Sequence, residues 1–342
     1  MIIPKGTAWQ YLRSLCFDAI PAEATAHYTS AIPLYQWRLH GSFLVTACTK
    51  KSITLLTSGV EIGAGLLADV EFLLDHAAEQ RATVRNSIVE LSWHSPAWSV
   101  VTAYYWCFFS AMAITRITGR TTWFLDRAAL SELRQLAGTT TQPRAGALNL
   151  TLGPYVSAMD REIILQPSRA HLHDSLWNVF HGLVAELFNR TDQTANSSEY
   201  RLWWCLHEAR LRLGADWPSE IRNIVNYRPG CAYREVIRNP EIDIAPFIRR
   251  NSPFTPEGLI SKLEDELLKI KAGTPAPDQV PLLCRVLLLF AITASSIAEE
   301  LHFELIGRAP ADRRWSDLRR RFLQQRCATR DVRSFWPFGR EI

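Results

Sequence analysis

Residues 98–114 carry no charged side chain, and Val100, Val101, Tyr104, Tyr105, Phe108, Phe109, Met112 and Ile117 recur at helical spacing. Trp98 and Trp106 fill in the rest of the circumference. A helix that is apolar nearly all round has to be surrounded, by other helices or by lipid. This one is barely long enough to span a hydrocarbon layer of roughly 30 Å, and it contains Thr102, Tyr104, Tyr105 and Ser110. It therefore predicts the central helix of a bundle. Residues 280–298, apolar but for Arg285, predict a second core helix on the same argument.

The flanking segments supply helices to surround that centre. Leu66, Leu67, Val70, Leu73 and Leu74 predict a long amphipathic helix over 65–91, and Ser95-Pro96 restarts the chain. Further helices are expected over 9–17, 121–137, from Ser168 or Asp174 through Leu187, and over 200–213, 220–227, 257–271, 280–306 and 314–326. Phe43 to Cys48 and Ser52 to Leu56 resemble two short strands across a Lys50-Lys51 turn. Residues 138–153, rich in Thr, Gly and Pro, read as an exposed loop, and 239–257, with four prolines, as an irregular linker. The expected fold is all-α, a helical bundle with a small mixed α/β N-terminal element. Its parts are 1–64 (mixed element), 65–238 (bundle) and 239–342 (C-terminal helices with a basic tail).

A 342-residue chain that is 47% hydrophobic has enough apolar surface for one large core or two ordinary ones. A formal charge of +4 does not by itself mark a nucleic-acid binder, since the clustering of basic residues decides that. Seven widely spaced cysteines fit neither a disulfide framework nor a zinc ribbon and point to a reducing cytoplasm. No phosphate-binding glycine loop, His-Glu-x-x-His helix or nucleophile elbow occurs, so no cofactor is expected. His171-Leu-His173-Asp174 has metal-ligand residue types, but it lacks a second ligand cluster and lies at a helix start, so no metal is expected either.

One polar segment stands out. Arg222, Asn223, Asn226, Tyr227 and Arg228 put two guanidinium groups, two amides and a phenol within about two helical turns. Arg222 with Asn226, and Asn223 with Tyr227, fall at i,i+4 spacing. Such a cluster has the charged forks and amides to hold a phosphate, and equally the groups to tie a short helix to its bundle.

The Tyr104-Tyr105 pair in an aromatic helix, followed by Arg222-Asn223 and Asn226-Tyr227, resembles the HEPN superfamily of helical domains. The N-terminal half, with a tryptophan near its start and a long helix leading into Pro96, also resembles YaaC-like proteins. The resemblance spans roughly residues 65–240. It implies a role in bacterial defence or stress, with metal-independent RNA cleavage at a dimer interface by an arginine and a histidine four to six residues further on. Arg222 and Asn223 match the first positions, but the histidine slots hold Tyr227, Arg228 and Pro229. Without an imidazole, proton transfer near neutral pH lacks a suitable group. The resemblance thus implies a degenerate module that binds RNA or a protein partner from the same operon, with a metal-independent endoribonuclease acting as a toxin or antiviral effector as the alternative. The partners implied include a second copy of the chain and no membrane.

Arg201 and His207 match the arginine-histidine spacing elsewhere, although Leu-Trp-Trp-Cys-Leu between them reads as a core face. The catalytic set expected is Arg222, Asn223 and His207. The binding set is Asn226, Tyr227, Arg228, Tyr104 and Tyr105, joined by Arg319 and Arg320 from the arginine-rich C-terminus. There, Trp315, Phe322, Phe335 and Trp336 alternate with the basic residues, a pattern that suits either RNA stacking or a solvated last helix docked by its apolar side.

Overall fold

The computed structural model describes residues 5–89, 95–192, 197–227, 240–251, 254–271, 279–308, 318, 319 and 321. The chain runs through α1 (Thr7–Ala19), α2 (Ala22–His27), α3 (Leu34–His40), β1 (Phe43–Cys48), β2 (Ile53–Ser58), α4 (Gly59–Val89) and α5 (Pro96–Ile117). There follow β3 (Arg120–Leu125), α6 (Arg127–Leu136), β4 (Gly146–Tyr155), β5 (Asp160–Pro167), α7 (Leu172–Phe188), α8 (Ser198–Leu213) and α9 (Trp217–Tyr227). The last described helices are α10 (Ile244–Asn251), α11 (Pro256–Leu268) and α12 (Val280–Ile306).

Helix α5 is the axis of the bundle, as its composition predicts. Ser95 caps it by accepting from the Trp98 amide at 3.3 Å, and Pro96 occupies the first turn, where no N–H is needed. Helices α4, α7, α9 and α12 all pack on it. Both α5 and α12 are long and apolar enough to cross a membrane, but 72% and 89% of their most apolar stretches are buried within the fold. Trp9, Trp106, Trp177, Trp203 and Trp217 are essentially inaccessible in the same core. Truncating any one of them to alanine would cost on the order of 3–5 kcal/mol.

The fold is not all-α. Five antiparallel strands form one sheet in the order β1-β2-β5-β4-β3. The β1–β2 hairpin agrees with expectation, but β3 replaces the start of the helix expected over 121–137, β4 replaces much of the loop expected over 138–153, and β5 forms in a stretch for which the sequence predicts no element. In β5, Arg161, Ile163 and Leu165 point inward while their neighbours are more exposed, the period-2 pattern of a half-covered strand. In β4, Leu148 and Leu150 are buried on either side of Asn149. The cross-strand partners on the sheet, together with Trp37 of α3 and Leu130 of α6, complete a second core, and thereby override the loop-like composition. Gly119, with φ +69°, makes the sharp turn from α5 into β3. The sheet joins strands from both sides of residue 64, and α4 runs through that position unbroken.

The expected linker over 239–257 contains α10. Asp243 accepts from the Ala245 amide at 2.9 Å, and Pro246 falls in the first turn, where it removes no helical hydrogen bond. Of the helix expected over 314–326, only Leu318, Arg319 and Arg321 belong to the described residues.

Candidate functional site

Helix α9 buries Trp217, Ile221, Ile224 and Val225, with Trp217 edge-on to Phe290 of α12 at 5.1 Å. That face fixes the rotation of the helix. It presents Ser219 and Arg222, one turn apart, to α5, and leaves Asn223, Asn226 and Tyr227 in solvent. Tyr227 is 71% exposed.

Four residues from three helices form a continuous polar chain. Trp177 Nε1 of α7 donates to Ser219 Oγ at 3.1 Å. Ser219 Oγ lies 3.2 Å from the Tyr104 hydroxyl of α5, which in turn lies 2.7 Å from His173 Nδ1. The Arg222 guanidinium sits 5.1 Å above the Tyr104 ring, a cation–π contact. Phe108, one turn along α5, stacks on the His173 ring at 4.4 Å. His173 and Trp177 are neighbours because they are i,i+4 on α7.

Burial, and then the nearby Arg222 charge, hold the His173 pKa below its ordinary value, with Asp174 opposing, so the imidazole is neutral at pH 7. Burial pushes the Tyr104 phenol up to about 12, against the downward pull of Ser219 and Arg222. Among the described residues no carboxylate pairs with Arg222, and its buried Nε has no hydrogen-bond partner. A half-buried guanidinium without an anion, beside a neutral imidazole, is an arrangement suited to an incoming anion.

The hydroxyl chain has two self-consistent directions. If Tyr104 donates to His173, the imidazole carries its proton on Nε2. If His173 Nδ1–H donates to Tyr104, which then donates to Ser219, Nε2 is left with a lone pair able to take a proton.

Of the residues expected from sequence, Arg222 and Tyr104 meet in this cluster. Tyr105 flanks it, edge-on to Tyr104 at 5.2 Å. Asn223, Asn226 and Tyr227 share the helix but point away. His207 does not join them: on α8 it stacks on Phe188 at 4.9 Å, and the charges that bear on it are Arg210 and Glu208. Arg201 is tied to Glu264 and Ser261. Arg319 is turned inward, 2.8 Å from Asp75 and 3.7 Å from Glu71, so it is an internal ion-pair partner and not a surface contact. Arg228 and Arg320 lie outside the described residues. Among the described residues no group of three or more His, Cys, Asp or Glu could hold a metal.

The sequence offers His173 only as a metal-ligand residue type and does not single out Ser219; the structure brings both to Tyr104. The available signals were the i,i+4 pair His173/Trp177 and the i,i+3 pair Ser219/Arg222, each visible within its own helix. That the two pairs face each other across α5 is a property of the packing. No protein-family model matches the chain, and no significant match is found among curated proteins or solved structures.

Proposed function

We propose that this chain is an HEPN-like RNA-binding protein of bacterial defence or stress, and that Arg222 holds an RNA phosphate. The single observation that carries the reading is the Arg222 guanidinium, half-buried on Tyr104 and without a carboxylate partner among the described residues. A fixed cation of this kind favours an anion over a neutral ligand. The backbone of RNA presents such anions in series.

The test is binding of a labelled single-stranded RNA by the purified protein in EDTA, across a range of salt. Arg222→Ala should weaken binding roughly ten- to a hundredfold, since a hydrogen bond to a charged group contributes about 1.5–3 kcal/mol. It should also lower the salt slope by about one. Unchanged affinity in the variant would reject this site.

A second reading, metal-independent ribonuclease, is favoured by His173. It supplies, from α7, the imidazole that is missing four to six residues after Arg222. In the tautomer with Nδ1–H directed at Tyr104, Nε2 would take the proton of a ribose 2′-hydroxyl as that oxygen attacks the adjacent phosphorus; the P–O5′ bond breaks, leaving a 2′,3′-cyclic phosphate and a 5′-oxygen that takes its proton from water, with Arg222 stabilising the charge that develops on the phosphate. His173→Ala should then abolish cleavage in EDTA while sparing RNA binding. Cleavage that survives the substitution would remove this reading and leave the binding one intact.

A further inference from the structure

Helix α5 is buried on nearly every side, and its remaining open face would be polar in an ordinary bundle. Here it is aromatic. Trp98, Tyr105 and Phe109 fall at i, i+7 and i+11 on that face, and Trp98 is 60% exposed. Alongside, α4 contributes Phe72, 58% exposed, and His76. The rings are in register across the two helices: Phe72 meets His76 edge-on at 4.4 Å, His76 stacks on Phe109 at 5.1 Å, and Phe109 lies 6.3 Å from Tyr105. Tyr105 then meets Tyr104, and Tyr104 lies under Arg222. An aromatic strip thus begins in solvent at Phe72 and ends at the candidate phosphate site.

We infer that the strip Phe72–His76–Phe109–Tyr105 is a stacking platform for the unpaired bases of a single-stranded RNA whose phosphate is held by Arg222. The inference rests on the RNA reading above and narrows it to a substrate class. Aromatic faces accept any base, but only a base free of a duplex stack presents its own face to them. The cation at the inner end of the strip fits this occupant, since Arg222 stands over Tyr104. Asp75, the acid between Phe72 and His76 in sequence, faces Arg319, which it shares with Glu71. Glu79, 3.5 Å from His76, puts a carboxylate beside the middle of the strip, so bases and not phosphates would lie there. Tyr105 and Phe109 are seated against the core and only partly covered, and the exposure of Phe72 is what distinguishes this row from a fully packed seam between two helices.

The experiment uses the full chain and a ten-nucleotide RNA containing 2-aminopurine, whose fluorescence falls on stacking. Three ligands are compared: the single strand, the same strand with abasic positions, and its duplex. Phe72→Ala removes an exposed ring and does not open the core, and Tyr105→Leu gives a second, independent loss of a stacking face. The expected result is quenching on binding, on the order of tenfold weaker binding of the single strand by each variant, and weak binding of the abasic strand and duplex by the wild type. If Arg222→Ala weakens binding but the abasic strand binds as well as the intact one and Phe72→Ala has no effect, the platform is overturned and the phosphate site stands. If Phe72→Ala weakens binding and Arg222→Ala does not, the phosphate site fails and the platform stands alone. If no RNA binds and Phe72→Ala abolishes a self-associated species in sedimentation, the strip is an interface between copies of this chain and the platform is overturned.

Discussion

The Tyr104 hydroxyl lies 2.7 Å from Nδ1 of His173, so the central helix α5 and the helix α7 meet at a polar contact inside an otherwise aromatic cluster. Tyr104 also reaches Ser219. Tyr104→Phe deletes both bonds and leaves the imidazole nitrogen without its partner in a half-buried setting. Loss of about 1–3 kcal/mol in stability is expected, read as a lower midpoint in urea. An unchanged midpoint would mean that the contact contributes nothing to folding.

Burial lowers the His173 pKa most, and Arg222 adds to it because a fixed positive charge disfavours a second one beside it. Arg222→Met keeps the apolar stem and removes the charge. The His173 ring, followed by NMR titration, should become easier to protonate. No upward movement would show that the guanidinium does not bear on the imidazole.

His181 is fully buried beside Trp177 and Phe290, neither ring nitrogen has a partner among the described residues, and burial lowers its pKa from 6.5 to about 3. The folded state therefore binds fewer protons than the unfolded state between those values, and stability falls as the pH drops through that window. The total is on the order of 5 kcal/mol. His181→Leu should remove that component of the acid sensitivity and leave the neutral-pH stability equal or higher, since no hydrogen bond is lost. Denaturation midpoints of the two proteins compared from pH 7 down to 4 test it; parallel curves contradict it.

Glu199 of α8 caps a helix nearly 200 residues away in sequence. Its carboxylate accepts from the Gly6 amide at 2.9 Å and the Trp9 amide at 2.8 Å, at the positive end of α1. Glu199→Ala should cost about 1–2 kcal/mol. Gly6→Ala should do similar damage, because the added methyl would displace the same carboxylate. Thermal melts of both variants are the measurement, and an unshifted melt for either would refute the cap.

Arg319 is held by Asp75 and Glu71. Arg319→Ala removes the guanidinium that faces Asp75 at 2.8 Å and should destabilise the protein by about 3 kcal/mol. The salt slope of RNA binding should not change. A stable variant with a reduced slope would return Arg319 to the role of a phosphate contact.

The sequence by itself determined the helical part of this protein. An uncharged stretch that is apolar on all sides, as at 98–114, has few places to go, and caps such as Ser95-Pro96 mark where its helix starts. Arg222 and Tyr104 are legible as candidates from the patterns of their own helices, Arg222 with Asn226 at i,i+4 and Tyr104 beside Tyr105 in an aromatic helix. Tertiary structure alone decided the sheet beyond its β1–β2 hairpin: Leu148 and Leu150 sit in a stretch of loop-like composition and become strand residues only when β3 and β5 pair on either side. It also decided which histidine stands beside Arg222. His207 lies closer in sequence, yet α8 turns it onto Phe188, while α7 and α9 both pack on α5 and bring His173 and Ser219 to the Tyr104 hydroxyl. Local spacing is encoded residue by residue, but the meeting of two helices depends on how all of their buried faces are satisfied at once.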